Sequence, residues 1–176
     1  MGSFLVAAGL LSLERMCYVW IWREPERFRA ACRTPALTSL SGPVDALRLL
    51  FYGFKALQLA VFLAWCVDHG HGRLWPPDAD GPWLVLGATL VSVGQVLNVS
   101  VFHRLGHVGV FYGNRFGHDV RWCRAFPFSV LEHPQYVGAV LSIWGFFLVM
   151  RFPHDDWFVL PALETLYYVV GARLEQ

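Results

Sequence analysis

Phe126-Pro127-Phe128-Ser129-Val130-Leu131-Glu132-His133-Pro134-Gln135-Tyr136-Val137-Gly138 is a polar, proline-stopped segment that runs directly into an apolar stretch. The apolar part reads as a membrane span, and His133-Pro134 sets its start. Proline is tolerated at the first helical position because its missing N–H is no loss there, and the amides that follow can face an anion. Tyr136 and Gly138 come within the next turn, an aromatic face beside a gap with no side chain.

The composition agrees with a membrane protein. Of the 176 residues 56% are hydrophobic and 15% charged, against roughly 25% charged in soluble domains. One unit over residues 1–176 is expected from this length. Cys17, Cys32, Cys66 and Cys123 are scattered without a Cys-x-x-Cys pair, so neither a zinc site nor a disulfide framework is indicated. A formal charge of +1 and the lack of a basic tract interleaved with aromatics argue against a nucleic-acid partner.

A helix needs about 20 mostly apolar residues to cross the hydrocarbon core, with a lower limit near 17. Five segments qualify: about 3–22, 44–67, 83–102, 136–150 and 157–172. The last two sit at the short limit and are joined by Arg151-Phe152-Pro153-His154-Asp155-Asp156, which reads as a helical hairpin turn. The expected fold is therefore all-α, a polytopic membrane protein of five transmembrane helices. The first segment is not read as a cleaved signal, because Glu14 and Arg15 interrupt its apolar run and no small-residue cleavage site follows.

Short cytoplasmic loops are enriched in Lys and Arg. Arg23, Arg27, Arg29 and Arg33 follow the first segment, and Arg104, Arg115, Arg121 and Arg124 follow the third. Between the second and third stands Arg73 against Asp68, Asp78 and Asp80. Five spans then put both basic loops and the C-terminus on the cytoplasmic face. Within the second span, Asp45 and Arg48 read as an interfacial ion pair and Lys55 as a snorkelling side chain.

Leu105-Gly106-His107-Val108-Gly109-Val110-Phe111-Tyr112-Gly113-Asn114-Arg115-Phe116-Gly117 places four glycines in a basic, aromatic loop, residues 104–134, that completes a site with the later spans. Gly106 interrupts the helix between His103 and His107. No third ligand is evident near that pair, so no metal is expected. His69-Gly70-His71 reads as a solvated turn, and the tryptophans, Trp20, Trp75 and Trp83 among them, as an interfacial belt.

From Gly94-Gln95 to Gly138 the chain resembles the small membrane phospholipid N-methyltransferases, most closely the plant-type enzymes that methylate phosphatidyl-N-methylethanolamine. The resemblance rests on Gly94-Gln95-x-Leu97-Asn98, Leu105-Gly106-x-x-Gly109, Tyr112-Gly113-x-Arg115-Phe116-Gly117, Phe126-Pro127-Phe128 and Pro134-Gln135-Tyr136-Val137-Gly138. His133-Pro134-x-Tyr136-x-Gly138 also resembles isoprenylcysteine carboxyl methyltransferases. Two departures stand out: the animal enzymes' glutamate pair is here Glu175-Gln176, and their Gly-x-Gly is represented only by Gly94.

The resemblance implies S-adenosyl-L-methionine as cofactor, a phospholipid acceptor drawn from the bilayer, and phosphatidylcholine as the end product. It implies integral membrane localisation, in the endoplasmic reticulum of a eukaryote or the inner membrane of a bacterium. The implied cofactor contacts are Gly94, Gly109, Tyr112, Gly113, Arg115, His133, Pro134, Tyr136, Gly138 and Glu175. Tyr136 or Tyr112 would face the sulfonium, Glu175 the ribose hydroxyls, and Arg115 with the His133-Pro134 helix start the carboxylate. Glu132, His133, His118 and Asp119 could take the proton that the acceptor amine must lose. A prenylcysteine carboxylate or thiol acceptor is the alternative of the same chemistry, a nicotinamide-dependent sterol reductase-like protein the alternative of another.

Overall fold

The computed structural model describes residues 2–34, 42–70, 72, 80–121 and 123–175. Arg73, His71, Trp75, Asp78 and Gln176 lie outside the described residues. Six α-helices and one 3-10 turn follow in order: α1 Gly2–Arg23, α2 Pro25–Ala31, α3 Pro43–His69, α4 Gly81–Val110, the 3-10 turn Gly113–Phe116, α5 Pro134–Met150 and α6 Val159–Leu174. Among the described residues the secondary structure is helical throughout. Three helices, α1, α3 and α4, are long and apolar enough to cross a membrane, and α5 is a shorter apolar helix.

Prolines set several of these starts. Pro25, Pro43, Pro82 and Pro134 occupy the first or second helical position, where no intrahelical N–H is lost. The basic stretch after α1, read above as a loop, contains α2. Phe28 anchors it, buried against Trp20 and Phe116, while Arg29 pairs with Glu26 at 3.1 Å. The third apolar segment runs on past residue 102 to Val110. Gly106, at φ 63° and ψ 177°, kinks it, a backbone state that a side chain would oppose.

Helix contacts run from α4 to α5, α5 to α6, α6 to α1 and α1 to α3, and close only weakly from α3 back to α4. The α4–α5 crossing is the tightest of them, and glycines make it so. A Cβ on Gly138 would stand 2.7 Å from the Gly94 carbonyl and from Asn98 Oδ1, and one on Gly145 would stand 2.5 Å from the Gly87 carbonyl. Both pairs lie seven residues apart on their helices, so one antiparallel stripe of bare backbone carries the contact. Gln95 Nε2 donates across it to Ser142 Oγ at 2.9 Å.

At the α5–α6 turn, Arg151 is buried, donates to the His69 carbonyl at 2.8 Å and pairs with Asp156. That ties the helical hairpin to the end of α3. The apolar core is split in two. Leu11, Val61, Trp65, Phe147 and Leu160 pack toward this end, whereas Ile21, Leu47, Val101, Phe111 and Phe116 pack toward the other. Between the clusters α1, α3 and α6 place Glu14, Arg15, Lys55, Gln58 and Glu164.

Candidate active site

The helices surround a cavity of about 1210 Å³. Its walls come from α1, α3, α4, α5 and the 120–133 segment, with Tyr168 and Glu175 contributed by α6 and its end. Arg104 Nε donates to the Phe126 carbonyl at 3.1 Å and holds that segment on α4.

At the α5 start, the Tyr136 hydroxyl donates to Glu175 Oε2, while Glu175 Oε1 is buried without a hydrogen-bond partner among the described residues. The His133 ring stacks on Tyr136 with centroids 5.9 Å apart, and Tyr168 meets Tyr136 edge-on at 5.4 Å. Tyr136 N–H and Val137 N–H both donate to the His133 carbonyl at 3.1 Å. The helix start therefore keeps fewer amides for an anion than its sequence implied. Tyr112 closes the same wall with φ 57°, a left-handed state that costs a bulky residue roughly 1–2 kcal/mol. Its ring packs edge-on against Trp22 at 5.2 Å and Tyr18 at 6.4 Å, which holds it there.

Deeper in, Lys55 and Arg15 share Glu14. Glu14 Oε1 lies 2.9 Å from Lys55 Nζ and 3.0 Å from the Arg15 guanidinium, and Lys55 also donates to Glu14 Oε2 at 3.2 Å, Gln58 Oε1 at 3.1 Å and the Tyr168 hydroxyl at 3.2 Å. The Arg15 guanidinium lies 3.9 Å from the Tyr168 ring centroid. This corrects the snorkelling assignment of Lys55. The residue sits twelve positions after Pro43 and fourteen before His69 in α3, about 18 Å from the nearer end, too far for a lysine to reach the interface. Asp45 and Arg48, by contrast, do form the expected pair, at 3.1 Å. The signal for the deep layer was present in the sequence, since ionisable residues inside apolar helices mark functional or paired positions.

Of the residues singled out from sequence, Gly109, Tyr112, Glu132, His133, Pro134, Tyr136 and Glu175 line the cavity. Gly94 and Gly138 are instead buried against each other at the α4–α5 crossing. Gly113 fits over the Val108 backbone, where a Cβ would collide. Arg115 lies with its guanidinium 3.9 Å from the Trp22 ring centroid, and His118 is exposed; neither lines the cavity. Arg121 and Arg124 do. His103 and His107 are exposed on either side of the Gly106 kink, which takes them off one helix face.

Residues 82–176, the part that carries Tyr112, Tyr136 and Glu175, match the family model described as phospholipid methyltransferase. The chain belongs to the phospholipid methyltransferase family. It is 30% identical over 141 residues to a phosphatidyl-N-methylethanolamine N-methyltransferase of Arabidopsis thaliana, covering 80% of this chain and 76% of that protein. A Saccharomyces cerevisiae protein of the same name is 35% identical over 96 residues, 53% of this chain and 45% of its own length. A phosphatidylethanolamine N-methyltransferase of Rattus norvegicus is 37% identical over 93 residues, 52% and 45% respectively. The chain thus spans about three quarters of the plant relative and under half of the other two. No solved structure matches it.

This phospholipid methyltransferase is accordingly an enzyme with a methyl donor to hold, and its apolar helices make it a membrane protein. Glu14, Arg15 and Lys55 fall outside the matched residues of the family model, although they line the same cavity.

Proposed function

We propose that the chain carries out S-adenosylmethionine-dependent N-methylation of ethanolamine-type phospholipids, the monomethyl and dimethyl lipids included, toward phosphatidylcholine. The observation that carries this reading is the buried Glu175 Oε1, without a hydrogen-bond partner among the described residues, beside the Tyr136 ring in a family of methyltransferases. A buried carboxylate oxygen with a free lone pair suits a diol, and a tyrosine face suits a cation, by about 0.5–2 kcal/mol.

S-adenosylmethionine, when bound, supplies an electrophilic methyl on a sulfonium. Glu175 accepts hydrogen bonds from the ribose hydroxyls, with its other oxygen already fixed by Tyr136. Tyr136 and Tyr112 supply the aromatic walls. Arg121 and Arg124 on the cavity lining attract the carboxylate end, a role the sequence had suggested for Arg115. Transfer is an in-line displacement, so these walls act by holding the amine against the methyl group and keeping water out. Glu132 and His133 line the cavity, which favours them over His118 as acceptors of the amine's proton.

The single domain would cross the membrane five times, α5 and α6 included, with the cavity open to the cytoplasm, in the endoplasmic reticulum of a eukaryote or the inner membrane of a bacterium. Arg151, held at the α5–α6 turn, then lies on the face opposite the 104–134 segment. An impermeant thiol reagent applied to vesicles should label Cys123 and a cysteine introduced by Asp155→Cys from opposite sides, in a background with Cys17, Cys32 and Cys66 replaced by serine. Labelling of both from one side would remove α5 as a span.

The function itself is tested by transfer of labelled methyl from S-adenosylmethionine to ethanolamine, monomethyl and dimethyl phospholipids in parallel. Label in at least one lipid product is expected. Label in none of the three would overturn the reading.

A further inference from the structure

We propose that the inner end of the cavity, where Lys55 and Arg15 share Glu14, holds the phosphodiester of the acceptor lipid, with one acyl chain in the crevice between α3 and α5. The proposal rests on a phospholipid being the acceptor.

Four observations converge. First, two cations face the cavity there against one carboxylate, Glu14. Glu164, buried close by, does not line the space. Charges inside a membrane are costly unless paired, and an anion on the cavity side of Lys55 and Arg15 would give both a further partner. A phosphodiester carries one negative charge.

Second, the donors for it are in place. Arg15 Nε and the Tyr18 hydroxyl are buried and lack hydrogen-bond partners among the described residues, and both side chains line the cavity, whereas the Gln58 side chain faces the Glu164 carboxyl. Unmade hydrogen bonds of buried groups are costly, and two free donors beside Lys55 suit an oxyanion that completes them.

Third, Lys55, Gln58, Ser142 and Ile143 line both this cavity and a crevice of about 170 Å³ whose other walls are Leu59, Phe62 and Phe146. A partly apolar crevice that adjoins a cationic cluster matches a molecule with a hydrocarbon tail and an anionic head, the crevice taking the first few methylenes of the tail. The amino-acid carboxylate of a methyl donor has the same head and no tail. Fourth, the crevice lies between α3 and α5, and Leu59 on its wall is half exposed, so an apolar chain can enter it from outside the helices.

The test uses the purified full chain in detergent micelles. Equilibrium binding of monomethyl phosphatidylethanolamine with brominated chains is read by tryptophan quenching, and S-adenosylmethionine binding by calorimetry. Lys55→Met should weaken lipid binding about tenfold, the value of one charge-assisted hydrogen bond. It should leave binding of the matching brominated diacylglycerol, which has no phosphate, and of S-adenosylmethionine unchanged.

Because Lys55→Met leaves Glu14 paired with Arg15, Lys55→Arg, which keeps the charge, is measured beside it. It should bind the lipid near the wild-type affinity and keep the wild-type thermal midpoint. Wild-type lipid affinity in Lys55→Met would make the ion pair structural and overturn the proposal. So would a loss of S-adenosylmethionine binding with lipid binding intact, which would assign the cluster to the donor carboxylate. Lipid binding by the wild type without any methyl transfer would count against the proposed function and leave the subsite standing.

Discussion

Replacing Gly138 by leucine is expected to cut methyl transfer by about a hundredfold or more and to lower the thermal midpoint in detergent. The first heavy atom added would already stand 2.7 Å from the Gly94 carbonyl and 2.7 Å from Asn98 Oδ1. A carbonyl in a helix cannot move aside as the tip of a flexible side chain can, so α4 and α5 must separate. Overpacking a core costs typically about 1–3 kcal/mol. Here the loss extends along the crossing, because Gly87 and Gly145 meet in the same stripe.

The catalytic consequence follows from what the two helices carry. α5 begins at Pro134 and sets Tyr136, and α4 leads through the Gly106 kink to Tyr112, so spreading the crossing pulls apart the walls that must hold the reactants. Gly138→Ala, which adds only the Cβ, should fall between the wild type and the leucine variant in both measurements. A leucine variant with full activity and an unchanged midpoint would mean that the crossing can loosen without moving the site.

Replacing Glu175 by alanine should weaken S-adenosylmethionine binding by about 1.5–3 kcal/mol, or roughly ten- to more than a hundredfold in Kd. Calorimetry on the purified chain reads it directly. The substitution removes the buried Oε1 proposed to meet the ribose and leaves the Tyr136 hydroxyl without its acceptor. The helices should persist, because Glu175 follows the last residue of α6 and its backbone N–H reaches only to the Gly171 carbonyl. Tyr136→Phe keeps the aromatic face and frees Glu175 of its tether, so a smaller loss is expected. Unchanged affinity in Glu175→Ala would take Glu175 out of the donor site.

Much of the frame was legible along the chain. The apolar runs mark α1, α3, α4 and α5, and prolines the starts of the last three, without reference to any neighbour, because helix propagation and its start are decided within one or two turns. Gly106 was legible as a break for the same reason, as was the Asp45–Arg48 pair three residues apart. α2 was less so. Its seven residues are too few to hold a helix alone, and Phe28 had first to find Phe116, almost ninety positions away.

The site divides along the same line. Tyr136, His133 and Pro134 are close in sequence, so their meeting at the α5 start follows from one helix turn. That Glu175 reaches Tyr136 follows only from how α6 packs beside α5.

Gly138 shows the limit most clearly, since a glycine in a motif can clear space for a ligand or for another backbone. The one-dimensional pattern is identical in both cases. Only the position of Gly94 across the crossing assigns it to helix packing.

Lys55 is the counterpart among the charges. Its sequence places an ammonium in the middle of an apolar helix, and composition alone permits either snorkelling or a buried partner. Its distance from both ends of α3 removes the first, and Glu14, on a different helix, supplies the second. Sequence by itself determined which long apolar segments are helical, how apolar they are and which chemistry-bearing residues they carry, because those are properties of local backbone and side-chain solvation. Tertiary structure decided which of those residues share a cavity, because pairing charges and excluding side chains are properties of two helices at once.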